Sequence, residues 1–158
     1  MNQPVPVTAK KTHFLYPGAL FVPSEPHLVT TVLGSCVSVC LWDPVLRVGG
    51  INHFLLPLWN GEGLATPRYG NIAITRLLER MLALGCARDR LQAKVFGGAA
   101  MWKGSQGVLA VGERNRSLAG DLLAQSRIPV VSSDTGGEGG RRIIYDTETG
   151  NVLLRRHR

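Results

Sequence analysis

The sequence predicts a single-domain α/β fold, a layered α/β sandwich with a mixed, largely antiparallel sheet. Residues 37–42 alternate with a period of two and are followed by a proline turn and a second strand-like stretch, residues 48–56. Residues 71–82 carry an apolar stripe with the helical period. The chain ends with another pair of strand-like segments, residues 141–145 and 151–155. Hairpins at both ends with helices between them are typical of this fold class.

The first hairpin is expected to bring a cysteine and a histidine together. An Asp-Pro pair at residues 43 and 44 marks its turn, since proline fixes φ and aspartate hydrogen bonds its own backbone. Centring the turn just after the proline places Cys36 opposite His53 and Cys40 opposite Gly49. Because Gly49 has no side chain that could act as a base, Cys36 is the better candidate nucleophile.

Cys36 and His53 together suit acyl transfer, although a small buried thiol beside a hydrogen-bonded histidine is a plainer interpretation. Gly34-Ser35 favours catalysis, because it breaks the strand and lets backbone N–H groups converge as an oxyanion site requires. We expect His53 to lower the pKa of the thiol by forming an ion pair. A third group usually orients the imidazole. The hydroxyls of Thr30 and Thr31, one on each face of the preceding strand, are the candidates.

The middle of the chain supplies the remaining elements of the sandwich. Asn71 is expected to cap the first helix and Gly85 to end it. The later segments are a strand at 91–96, a helix at 115–126 with Leu118, Leu122 and Leu123 on one side, a buried strand at 128–133, and a glycine-rich turn at 136–140. Neither the glycine pair at 97–98 nor this turn has the spacing of a nucleotide-binding loop. No nucleotide cofactor is therefore expected.

Composition narrows the function classes further. A chain of 158 residues with 44% hydrophobic residues is sufficient for one domain with its own core. The net charge of +7 is dispersed, and no aromatic residues are interleaved with the arginines, so nucleic-acid binding is not expected and an acidic protein partner is favoured. No stretch is long and apolar enough for a membrane span, and the N-terminus lacks the apolar core of a signal peptide. We expect a cytoplasmic protein.

The cysteines indicate neither a disulfide framework nor a metal site. The chain has three of them, Cys36, Cys40 and Cys86, which favours free thiols in a reducing compartment. Cys36, Cys40 and His53 would supply three zinc ligands, but the two cysteines lie two pleats apart on a strand, about 13 Å. No metal is expected.

Several motifs together resemble those of the CheD family of chemoreceptor glutamine deamidases. In chain order these are TTVLGSC at 30–36, LWDP at 41–44, GGINHFLLP at 49–57, YGN at 69–71, FGGA at 96–99, GERN at 112–115, DTGG at 134–137 and GRR at 140–142. They extend over most of the chain, from about residue 15 to residue 155. Asn71 is one departure, since aspartate is expected at that position, and both residues cap a helix.

The resemblance implies a catalytic triad of Cys36, His53 and Thr30, and a fold similar to that of bacterial toxin deamidases. Residues 1–13 are polar and proline-bearing and are expected to form a loose lead-in, and the resemblance then makes residues 14–158 the deamidase domain. The expected substrates are glutamines in the cytoplasmic domains of chemoreceptors, converted to glutamate without a cofactor, and a CheC-type phosphatase is a possible partner. Two alternatives stay open: another cysteine-dependent amidase or peptidase, and a non-catalytic adaptor that binds a receptor or phosphatase.

Overall fold

Two β-sheets and a pair of helices build the domain in the computed structural model, which describes residues 10–100 and 110–157. The strands are β1 Lys11–Phe14, β2 Leu20–Phe21, β3 His27–Leu33, β4 Val37–Asp43, β5 Val48–Asn52, β6 Gln92–Gly97, β7 Val130–Thr135, β8 Arg141–Asp146 and β9 Val152–Arg156. The α-helices are α1 Gly70–Ala83 and α2 Val111–Gln125, and a short 3-10 helix spans Arg88–Arg90. Strand β1 begins at Lys11, within the segment that was expected to be a loose lead-in.

The strands form two separate sheets. One has the order β1-β3-β8-β9 and the other the order β2-β5-β4-β6-β7. Among the described strands, β1 pairs with β3 and β6 with β7 in parallel, and the other neighbours are antiparallel. The layered α/β class with largely antiparallel pairing is confirmed, with two sheets where the sequence indicated one.

Two hydrophobic clusters lie on opposite faces of the five-stranded sheet. One joins its strands β4 and β6 to helices α1 and α2. The other joins β4, β5 and β6 to β3 and β8 of the four-stranded sheet. The order of layers is therefore helices, five-stranded sheet, four-stranded sheet. Residues between the two sheets are shielded from both helices.

The loop of the first hairpin is two residues longer than the sequence indicated. Residues 44–47 separate the paired residues Asp43 and Val48, and the Arg47 N–H donates to the Asp43 carbonyl at 2.8 Å. The Asp43 carboxylate accepts two further backbone N–H groups of the loop. Arg47 takes a left-handed conformation with φ of 55°, which closes the loop. Aspartate thus determines the turn as expected, but a four-residue loop shifts the register.

The longer loop makes the predicted cross-strand pairs wrong. Cys40 lies opposite Ile51 and not opposite Gly49. In the same register Cys36 is not directly opposite His53. The shift moves each partner by two positions, and side chains alternate faces with a period of two, so residues expected on one face still share it.

Three other local predictions are corrected by the structure. Tyr69 occupies the N-cap of α1, and the Asn71 amide oxygen accepts the Trp59 N–H instead, at 3.0 Å. Helix α2 begins four residues earlier than expected, at Val111. Strand β7 is an exposed edge strand and not a buried one, because it pairs only with β6 among the described strands. Gly85 does end α1 with a positive φ, and the β8-β9 hairpin is confirmed.

Candidate active site

Cys36 lies on the turn that connects the two sheets. Strand β3 of the four-stranded sheet ends at Leu33, and β4 of the five-stranded sheet begins at Val37. Cys36 is partly buried and packs against the cluster between the sheets. Cys40 and Cys86, by contrast, are buried. The structure therefore keeps one thiol at the margin of the inter-sheet core, as a nucleophile requires.

His53 is held in place by its backbone. It follows β5, its N–H donates to the Ala19 carbonyl at 3.1 Å, and its carbonyl accepts the Gly18 N–H at 2.8 Å. The side chain is only 1% exposed. The main chain of His53 is thus fixed through both its N–H and its carbonyl by the segment that leads into β2.

Cys36 and His53 lie on the same face of the five-stranded sheet. The residues that directly follow them, Val37 and Phe54, form an antiparallel bridge with N–H to carbonyl distances of 3.1 and 3.0 Å. Cys36 and His53 are therefore diagonal neighbours across this bridge, about 7 Å apart between Cα atoms in a regular pair, and both lie on the face opposite to Val37 and Phe54. The contact of Cys36 with the inter-sheet cluster agrees with this placement.

A threonine of the other sheet completes a chain of hydrogen bonds with His53. The buried Thr31 hydroxyl lies 2.8 Å from the Leu15 carbonyl and 2.7 Å from His53 Nδ1. A carbonyl oxygen can only accept, so the Thr31 hydroxyl donates its single hydrogen to the Leu15 carbonyl, and its oxygen accepts a hydrogen bond from the Nδ1–H of His53. This fixes the tautomer with hydrogen on Nδ1. Its Nε2 therefore carries a lone pair, as a general base requires.

Thr30 makes no such contact with His53. Its neighbours on β3, Val29 and Thr31, are fully buried, whereas Thr30 is partly exposed. Because successive side chains of a strand point to opposite faces, Thr30 projects from the outer face of the four-stranded sheet. Of the two candidate threonines, Thr31 contacts the imidazole, and Thr30, which the family resemblance implies for the triad, does not.

Burial favours the uncharged form of both members of the candidate pair. Burial lowers the pKa of His53 to about 4 and raises the pKa of the Cys36 thiol above its usual value. Within the part of the chain that the structure describes, His53 Nε2 has no hydrogen-bond partner. Both pKa shifts are thus opposite to those that the expected ion pair would produce. Such a neutral pair can act only if the proton moves to Nε2 as the sulfur attacks.

Two glycines at the end of β6, Gly97 and Gly98, support the turn that carries Cys36. The Gly98 N–H donates to the Cys36 carbonyl at 2.9 Å, and the Ala99 N–H donates to the Gly34 carbonyl at 3.0 Å. Gly97 has φ of 104°, and a Cβ there would lie 2.2 Å from the Cys36 carbonyl oxygen. A side chain at this position is thus excluded. Close backbone approach is confirmed as the reason for this glycine pair.

The described residues contain no group of three or more potential ligands that could hold a metal ion. Likewise, no helix in residues 10–100 or 110–157 is long and apolar enough to cross a membrane.

Comparison with known proteins places the chain in a family. A family model described as CheD, chemotactic sensory transduction, matches residues 55–156, which is more than half of the chain. This chain belongs to the CheD family. The matched range begins just after His53, so the evidence for the segment that contains Cys36 and His53 comes from individual CheD relatives.

Those relatives align over nearly the whole chain. A protein of Trichlorobacter lovleyi named probable chemoreceptor glutamine deamidase CheD is 56% identical, over 92% of this chain and 91% of its own length. A protein of the same name from Sulfurimonas denitrificans is 47% identical, over 90% of this chain and 92% of its own. A CheD relative from Anaeromyxobacter dehalogenans is 45% identical over 90% of this chain and 82% of its own. Alignments of this extent include the segment from Cys36 to His53.

Arg141 supports the site of this CheD chain, and it belongs to the Gly-Arg-Arg motif, which had no assigned role. Arg141 is 1% exposed, forms an ion pair with Asp134 at 2.7 Å, and donates to the carbonyls of Gly136 at 2.7 Å and Gly97 at 3.4 Å. It therefore holds the glycine-rich turn against the loop that supports Cys36. The signal in the sequence was the Gly-Arg-Arg motif, but Gly97, the partner in the supporting loop, lies 44 residues away in the chain.

Proposed function

We propose that this chain is a chemoreceptor glutamine deamidase, a hydrolase that converts particular receptor glutamines to glutamate in chemotaxis. The observation that carries the proposal is the geometry of one cysteine and one histidine. His53 is oriented by Thr31 with a free Nε2 lone pair, and it shares a sheet face with the partly exposed Cys36. That arrangement suits amide hydrolysis, and relatives named chemoreceptor glutamine deamidase indicate the substrate.

In the first half-reaction, Nε2 of His53 accepts the thiol proton as the sulfur of Cys36 attacks the carboxamide carbon. The tetrahedral oxyanion is stabilised by the Cys36 N–H, which donates to no acceptor among the described residues. The imidazolium then protonates the departing nitrogen, so ammonia leaves and a thioester remains.

In the second half-reaction, His53 removes a proton from water, which attacks the thioester. Glutamate and the free thiol result, and the sum is one carboxamide plus water giving one carboxylic acid plus ammonia. The Nδ1 hydrogen bond to Thr31 persists throughout, and it keeps Nε2 directed at the reacting atoms. The groups that act in these steps are two side chains, one backbone N–H and water.

A cytoplasmic location belongs to this proposal, because the substrate glutamines lie in cytoplasmic receptor domains. We also propose a CheC-type phosphatase as a binding partner, on the strength of the family resemblance. The net charge of +7 favours acidic surfaces on both partners.

Mass spectrometry of a receptor cytoplasmic domain incubated with the protein tests the activity. A gain of about 1 Da per modified glutamine, with an intact receptor chain, is the expected result, since an amide nitrogen is exchanged for oxygen. Cys36→Ala should abolish the gain and leave the thermal unfolding midpoint close to that of the wild type. Cleavage of the receptor would favour a peptidase. Binding without any mass change would favour an adaptor.

A further inference from the structure

Asn115 connects α2 to both segments of the candidate active site. Its Nδ2 group donates to the Ser35 carbonyl at 3.0 Å and to the Leu55 carbonyl at 2.9 Å. Ser35 directly precedes Cys36, and Leu55 follows His53 by two residues. The side chain is 0% exposed. One buried amide thus joins the turn of the nucleophile to the strand of the base.

The orientation of this amide is determined by its partners. Both are carbonyl oxygens, which only accept, so the nitrogen of Asn115 must face them. Its Oδ1 has no partner among the described residues, although it is buried. Burial of an amide with one unpaired oxygen costs free energy, and an apolar residue would fill the same position on the buried face of α2 without that cost. The two donated hydrogen bonds are the feature that an apolar residue could not provide.

The contact with Ser35 acts on the peptide group that leads into Cys36. The Ser35 carbonyl and the Cys36 N–H belong to one planar trans peptide, so they point in opposite directions. A hydrogen bond that fixes the carbonyl therefore fixes the direction of the N–H. It also polarises the peptide, which makes the N–H a stronger donor.

We infer that Asn115 is a positioning residue for the oxyanion site: by binding the Ser35 carbonyl it aims the Cys36 N–H at the position where the tetrahedral oxyanion forms. Its second hydrogen bond, to Leu55, keeps the segment that carries His53 at a constant distance from that N–H. This inference rests on the proposed role of Cys36 as nucleophile. It does not depend on the identity of the substrate.

Two reagents that modify Cys36 separate positioning from general structural support. Acylation by p-nitrophenyl acetate passes through a tetrahedral oxyanion, whereas alkylation by iodoacetamide displaces iodide and forms none. In Asn115→Ala the burst rate of acylation should fall about 10- to 100-fold, somewhat less than the loss seen when a direct oxyanion donor is removed. The alkylation rate should stay within about twofold of wild type, because the thiol and its base are retained.

Three variants make the comparison specific. Asn115→Asp keeps the shape of the side chain and loses both N–H donors, so it should lose acylation at least as strongly as Asn115→Ala. Asn71→Ala removes an amide that accepts the Trp59 N–H, and both rates should stay unchanged. Cys36→Ala gives the background of both reactions. Circular dichroism establishes that each variant is folded.

Unchanged acylation in folded Asn115→Ala and Asn115→Asp would overturn the inference. A parallel fall in acylation and alkylation, or loss of fold in both variants, would assign Asn115 a structural role and overturn it as well. Neither reagent requires a receptor, so these outcomes are independent of receptor deamidation. A wild-type protein that fails to modify receptors would contradict the proposed function and leave the reagent comparison valid.

Discussion

Replacement of Thr31 by valine tests the hydrogen-bond chain that orients His53. Valine has nearly the same shape as threonine, so the change removes one hydroxyl and little packing. Two buried groups then lose their partner, the Leu15 carbonyl at 2.8 Å and the His53 Nδ1–H at 2.7 Å. A buried polar group without a partner costs about 1–3 kcal/mol, so the loss of two partners should lower the free energy of unfolding by at least about 2 kcal/mol. A domain of ordinary stability, about 5–15 kcal/mol, remains folded after such a loss.

The catalytic effect of Thr31→Val should exceed what partial unfolding explains. Without an acceptor at Nδ1, the imidazole can adopt the other tautomer, in which Nε2 carries the proton and cannot accept one from the thiol. Loss of a charged orienting group costs about 10⁴-fold in kcat in a serine protease triad. A neutral hydroxyl contributes less, and we expect kcat to fall about 10- to 100-fold with KM little changed.

The matched control is Thr30→Val, since Thr30 lies on the opposite face of the same strand. Ammonia release from a receptor cytoplasmic domain gives kcat and KM, and chemical denaturation gives the free energy of unfolding. Thr30→Val should stay within about twofold of wild type in kcat, as exposed substitutions usually change stability by less than about 0.5 kcal/mol. A large loss in Thr30→Val with an unaffected Thr31→Val would refute the role that we assign to Thr31.

Three further predictions concern acidity, stability and backbone geometry. Burial lowers the pKa of His53 to about 4, against about 6.5 in an unfolded chain, so the unfolded state binds its proton first as pH falls. The free energy of unfolding should therefore decrease by roughly 3 kcal/mol between about pH 6.5 and pH 4, and His53→Gln should flatten this dependence in denaturation series. Burial would raise the pKa of Asp43, but hydrogen bonds from Arg90 and backbone N–H groups lower it to about 2. Asp43→Asn should therefore cost about 2 kcal/mol in the free energy of unfolding. It should leave kcat unchanged, because Asp43 lies at the end of β4 that is far from the nucleophile. A fall in kcat as large as the fall in stability would contradict that separation. Gly97→Ala should reduce kcat at least about 100-fold, since its Cβ would lie 2.2 Å from a carbonyl oxygen of the catalytic turn. The control Gly61→Ala is also at positive φ, but its Cβ would have no neighbour within 4 Å, so kcat should stay unchanged. Equal kcat values for the two variants would argue against the close contact.

The sequence predicted the shared face of Cys36 and His53 for a robust reason and their register for a fragile one. Side chains alternate along any strand, so a register shift of two positions leaves the same residues of the two strands on a common face. Register depends on the loop, and the four-residue loop closed by Arg47 in a left-handed conformation left no clear signal beside Asp43-Pro44. An Asp-Pro pair begins both short and longer turns, which is why the predicted pairs were wrong by two positions.

The choice between Thr30 and Thr31 requires knowing which face of β3 is buried, and two adjacent threonines do not indicate this. Only the burial of Val29 and Leu33 shows which of the two hydroxyls faces inward. The uncharged state of the pair was equally hidden, because it depends on burial by residues of both sheets. Asn115 gave one local signal, a polar residue among apolar positions of a helix. Its partners lie 80 and 60 residues away in the chain, and no local pattern indicates such contacts.

The turn that carries the nucleophile passes from one sheet to the other, and the histidine and its threonine come from different sheets. A slight slip of these two layers would separate the reacting groups while every strand and helix stayed intact. On gradual warming, turnover should thus disappear at a lower temperature than the helical circular dichroism signal. Replacing a residue between the two sheets, such as Leu33, by a larger one should reduce turnover at ordinary temperature while the helical circular dichroism signal is retained.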